Sequence, residues 1–80
     1  MKYIMFEDFS GRPIPVIFPK RIGHEEMREQ LPYATVLSAG FVDRRQTGFV
    51  CHGSAPELHA KADKGDAEII ARHFEPAVEE

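Results

Sequence analysis

The apolar residues of this chain fall in short runs punctuated by glycine and proline. Lys2-Tyr3-Ile4-Met5-Phe6-Glu7-Asp8-Phe9 and Pro15-Val16-Ile17-Phe18-Pro19 flank Ser10-Gly11-Arg12-Pro13. Aromatic and β-branched residues on either side of such a turn predict a β-hairpin. In the first run both alternate sets are partly apolar, with Ile4 and Phe6 on one side and Tyr3, Met5 and Phe9 on the other. A strand wet on one face would alternate cleanly with polar residues. This one is therefore expected to be central, or covered on its second face by a helix or another subunit. Pro15 and Pro19 are expected to bracket the second strand, because proline cannot donate to a ladder.

Farther along, the period changes. Gly23 to Leu31 reads as a short helix: Glu25 and Glu26 suit the positive end of its dipole, Met27 and Leu31 form an i, i+4 stripe, and Pro32 stops it. Ile22, just outside, is placed to pack back on that stripe. Ala34 to Asp43 returns to strand, with Val36 and Val42 expected on one face and Leu37 and Phe41 on the other. Gly40 within it points to a bulge or a close approach by another side chain. A polar loop, Asp43 to Gly48, leads to a return strand, Phe49 to His52, which Gly53-Ser54-Ala55-Pro56 breaks. Glu57 to Ala62 alternates like an edge strand, although Ser54 and Glu57 have the spacing of a helix capping box. The strand reading is preferred because Lys64-Gly65 would cut a helix short. Asp66 is then the N-cap of a last helix, Ala67 to Phe74, with Ile70 and Phe74 as its stripe and Glu68 paired with Arg72.

The expected fold is α+β: a small, mostly antiparallel sheet of four or five strands, in the order β-β-α-β-β-(β)-α, with two short helices on one face. Residues 1–75 are expected to form a single domain, and residues 76–80 a frayed acidic tail.

Composition narrows the function less than the fold. The 80 residues hold 25 large apolar side chains, a single cysteine and a net charge of −3. One cysteine allows no intramolecular disulfide, and for so short a chain self-association is a natural source of extra stability. No run is long enough to span a membrane, and the N-terminus lacks the pattern of a secretory signal. With the lone Cys51, this leads to an expected cytoplasmic setting. The net negative charge argues against non-specific binding to a phosphate backbone.

The candidate chemistry is sparse. Cys51 and His52 are neighbours in a strand, so their side chains point to opposite faces and cannot pair. An approach of His24 or His59 to Cys51, with Asp63 as orienter, would make a nucleophile pair; the simpler reading is a buried, inert thiol. Histidines 24, 52, 59 and 73 lack metal-ligand spacing, and the glycines are isolated, so no catalytic residue, metal or cofactor is expected. Arg44 and Arg45 at a hairpin tip, with Tyr33, Phe41 and Phe49, are the candidate partner-binding residues, since aromatics beside arginine are enriched at interfaces.

The segments Lys2–Asp8, Pro15–Pro19, Ser38-Ala39-Gly40-Phe41-Val42 and Asp66-Ala67-Glu68-Ile69-Ile70 together resemble short proteins of tailed bacteriophages and prophages. That resemblance implies a bacterial or viral cytoplasmic setting and an accessory or host-interaction role. It carries no catalytic residues. The leading expectation is thus a non-enzymatic interaction module acting as a homodimer, with a bacterial or phage protein as a further partner. A small nucleic-acid-binding regulator using Arg44-Arg45 is the alternative, and a thiol- or histidine-based enzyme the third reading.

Overall fold

The computed structural model describes residues 1–74, so the expected tail at 76–80 lies outside the described residues. Nine elements follow one another. They are β1 (Lys2–Glu7), β2 (Pro13–Phe18), α1 (His24–Glu29), β3 (Thr35–Arg45), β4 (Gly48–His52), β5 (Ser54–Ala55), a 3-10 turn (Pro56–Leu58), β6 (Ala60–Lys61) and α2 (Asp66–Phe74). The main sheet is antiparallel with strand order β2-β1-β3-β4, while β5 and β6 form a separate two-stranded ribbon. The α+β class and the four-stranded sheet are those the apolar pattern predicts.

Strand β1 is central, and Tyr3, Ile4, Met5 and Phe6 are all buried. Its alternation divides the core in two. Ile4 and Phe6 pack with Phe18, Ala39 and Ala55, and with Ile22, Met27 and Leu31 from around α1. Tyr3 and Met5 pack with Val42 and with Ile70 of α2. The expected arrangement with both helices on one face therefore does not hold: α1 and α2 cover opposite faces. The cause is in β1 itself, whose two sides are both too large and apolar to be left in water.

Three local differences from the sequence pattern have physical reasons. The β2 strand runs through Pro15 back to Pro13 instead of starting at Pro15. Met1 and Val42 exchange backbone hydrogen bonds of 3.0 and 2.7 Å, so Met1, Tyr3 and Met5 direct their backbone groups at β3, and Lys2, Ile4 and Phe6 direct theirs at β2. The β2 partners of that second set are Phe18, Val16 and Ile14. Pro13, Pro15 and Ile17 therefore face away from the sheet, where a missing N–H interrupts no ladder.

In β3 the bulge lies at Leu37, not Gly40: Met5 pairs with Ser38 and Phe6 with Val36, which leaves Leu37 without a partner. One extra residue reverses the alternation. Val36 thus joins the α1-side core and Val42 the α2-side core, where the simple period placed them together. Gly40 answers to the other expectation, a close approach. A Cβ there would stand 2.6 Å from the carbonyl oxygen of His52 and 3.3 Å from Cβ of Ala62.

The Glu57–Ala62 segment forms neither an edge strand of the main sheet nor a helix. Pro56 starts one 3-10 turn, His59 takes a left-handed φ of 55° that ends it, and Ala60–Lys61 returns beside Ser54–Ala55. Ala55, Leu58 and Ala60 close the α1-side core beyond the end of β4. Asp66 likewise differs from its expected role as N-cap, since it is the first residue of α2 and its carboxylate turns inward.

Replacing Gly40 by alanine should destabilise the fold by roughly 1–3 kcal/mol, because the new methyl meets backbone that cannot swing aside. Gly23→Ala, whose nearest added contact is at 4.0 Å, should cost less, about 1 kcal/mol or below, through the poorer N-cap alone. Urea unfolding midpoints of the two variants check this.

Candidate functional site

Neighbouring strand residues point to opposite faces, and that rule disperses the five residues singled out from the sequence. Arg44 and Phe49 are cross-strand partners on the α2 face, with the guanidinium 5.6 Å from the ring centroid. Arg45 points the other way, and its Nη2 lies 3.7 Å from Asp43 Oδ2. Phe41 is on that same α1 face, edge-on to His24 at 5.7 Å and stacked on His52 at 5.9 Å. Tyr33 sits at the far end of the sheet, against Phe6 and the exposed Phe9. Only Arg44 and Phe49 come together, so the five do not form one surface.

The histidines and the thiol are likewise engaged locally. His24, buried at the start of α1, lies between Phe18 and Phe41, and its Nε2–H donates to the Gly40 carbonyl at 2.9 Å. That carbonyl can only accept, so the hydrogen sits on Nε2, leaving Nδ1 3.8 Å from Glu57 Oε2. His52 donates to Asp43 Oδ2 at 3.0 Å, and this bond is the main reason the Asp43 carboxyl lies below its usual range. Cys51 packs beside Tyr3 and Val42 in the α2-side core. Burial, opposed in part by a Tyr3 hydrogen bond and aided by the Asp66 charge, pushes its thiol up to about 11. A thiol so poised is a poor nucleophile near neutral pH.

The least foreseen cluster is structural. Asp66 is buried, and its Oδ2 accepts from Tyr3 Oη, from Ser38 Oγ at 2.6 Å and from the Asp63 amide at 3.0 Å. These bonds join α2 to β1 and β3 and offset the cost of withdrawing the carboxylate from water. Among the described residues no three of His, Cys, Asp and Glu gather as a metal site requires.

What stays unpartnered is backbone. Val42 directs its N–H and C=O at Met1, so the β3–β4 ladder bonds run through the Phe41–His52, Asp43–Val50 and Arg45–Gly48 pairs. The N–H and C=O groups of Phe49 and Cys51 therefore point outward from the sheet edge. Among the described residues none of the turn, loop or side-chain hydrogen bonds reaches them. The β4 strand, Gly48-Phe49-Val50-Cys51-His52, holds no proline, lysine or carboxylate, and Val50 is 40% exposed. The two edges thus differ, since β2 places prolines at two of its three outward positions.

The alternation and the lack of proline in β4 could have revealed this edge in the sequence. What was missing is the strand order, which leaves β4 outermost. No helix of the described residues is long and apolar enough to cross a membrane. Comparison with protein families, with curated proteins and with solved structures finds no match.

Folding holds both Cys51 and Tyr3 in their neutral forms, since burial raises each. Their contribution to stability is complete below pH 9.0, the ordinary value of the thiol, and for Cys51 it is lost as pH rises towards about 11. Urea midpoints should be level from pH 7 to 8.5 and fall above pH 9, less steeply in Cys51→Ala. Tyr3→Phe should cost about 1–3 kcal/mol at pH 7 by removing one donor from the buried Asp66.

Proposed function

We propose that this chain is a non-enzymatic protein–protein interaction module that works as a homo-oligomer, joining its partner by strand addition at β4. The observation that carries this reading is the contrast between the two sheet edges. Outward prolines disarm β2, whereas β4 presents paired donors and acceptors beside a half-exposed valine. Bare edges of this kind are where chains pair, and soluble folds generally block them with proline, lysine or a covering element. The resemblance of its strands to short phage and prophage proteins supports, as part of this proposal, a bacterial or viral accessory setting with a host or phage protein as a further partner.

The rival readings have less support. A nucleic-acid interface would want Arg44 and Arg45 on one surface; here they lie on opposite faces of a chain with net charge −3. A thiol enzyme would want a low thiol pKa and an adjacent base, and Cys51 has a raised one.

Sedimentation at high micromolar concentration should return a mass near twice the 9.1 kDa of one chain. Val50→Lys, which sets an ammonium on the edge, should return the single-chain mass with unchanged circular dichroism. A wild-type protein that stays at 9.1 kDa overturns the homo-oligomer, and a Val50→Lys protein that stays paired removes β4 as the contact.

A further inference from the structure

The proposed module acts at β4, and resting on that reading the geometry assigns the partner strand. We infer that β4 pairs with β4 of a second copy, antiparallel, with Val50 opposite Val50, so that two four-stranded sheets continue as one.

Register follows from which groups face outward. Phe49 and Cys51 carry the free backbone groups, so a partner strand must bring its own outward residues opposite them. Two-fold pairing about Val50 sets Phe49 against the second copy's Cys51 and Cys51 against its Phe49. Each such pair exchanges both N–H to C=O bonds. Val50, whose backbone is committed to Asp43, meets its twin as a non-hydrogen-bonded pair, in which side chains approach most closely. Because Val50 is the middle of a five-residue strand, this register alone pairs all of β4. A shift of the axis to Phe49 or to Cys51 leaves one end of each strand opposite loop.

The side chains suit a second copy better than a foreign strand. Large stands against small on either side of the central valine pair, with Phe49 beside Cys51 and His52 beside Gly48, and no lysine, arginine or carboxylate lies on either strand. Arg45 lies next to Gly48 in the β3–β4 ladder, so across that glycine it faces the second copy's His52, which is bonded to an aspartate. On the opposite face Phe49, beneath Arg44, meets the second copy's Cys51, so that both half-buried side chains of the α2 core gain cover. The ladder is short, about 17 Å at strand rise, and on its own falls below the area of a standard stable interface. The dimer is accordingly weak and concentration-dependent, which favours covalent trapping as the test.

In a Cys51→Ala background, single cysteines are placed at Val50, His52 and Thr47, one per protein, and oxidised mildly. Opposed Cα atoms at a non-hydrogen-bonded pair lie about 4.5 Å apart, within the span of a disulfide. The two copies of residue 52 lie about 14 Å apart in this register, and those of residue 47 farther still. Val50→Cys should lose its monomer band on a non-reducing gel while the other two keep theirs. Faster linkage at His52→Cys or Thr47→Cys overturns this register and leaves the homo-oligomer standing. No linkage in any variant, with a dimeric wild type in sedimentation, overturns the β4 pairing; no linkage with a monomeric wild type overturns the homo-oligomer as well.

Discussion

The rims of a sheet expose backbone groups that a further strand can use unless something blocks them, and among the described residues only one rim of this sheet is blocked. Along β2, Pro13 and Pro15 occupy positions whose nitrogens face outward. The ladder to β1 is intact, yet an incoming strand finds donors missing. Along β4 the corresponding positions are Phe49 and Cys51, whose amides point outward and meet no partner among the described residues. The same alternation that buries one side chain of each neighbouring pair thus decides which rim can accept a partner, and the functional reading follows from that asymmetry.

The sheet can present such a rim because its interior is firmly held. Both faces of β1 are apolar and both are covered, by α1 with the β5–β6 ribbon on one side and by α2 on the other. Each cover is also pinned by a buried polar group. His24 ties α1 to the Gly40 carbonyl, and Asp66 ties α2 to Tyr3 and Ser38. Apolar packing alone is tolerant of small shifts, whereas a buried carboxylate with named donors has one satisfactory position. The two helices are short, and these bonds set where each sits on the sheet.

Much of this was legible in the sequence, and the failures are instructive. The alternation in Lys2–Glu7 announced a strand with two apolar sides, and the spacing of Glu68 and Arg72 announced their ion pair at 3.1 Å. Gly40 announced a close approach. The same alternation in β1, carried one step further, requires helices on both faces. Pattern alone does not show the bulge at Leu37, because an inserted residue looks like any other until its partner strand is known. Nor does it show that prolines can lie inside a strand, which depends on β2 being an edge. The candidate partner-binding residues are dispersed for a related reason: Arg44 and Arg45 are adjacent in sequence and therefore opposed in a strand. In the sequence Asp66 has the position of a helix cap, and its tertiary donors, Tyr3 and Ser38, lie 63 and 28 residues away, beyond the reach of local pattern.

Amide hydrogen exchange, resolved by residue and compared between dilute and concentrated protein, tests the open rim most directly. Val50 and His52, bonded to β3, should be protected at both concentrations. Phe49 and Cys51 should exchange rapidly when dilute and become protected when concentrated. Rapid exchange of Phe49 and Cys51 at every concentration would contradict the account, as would protection that is already complete in dilute solution.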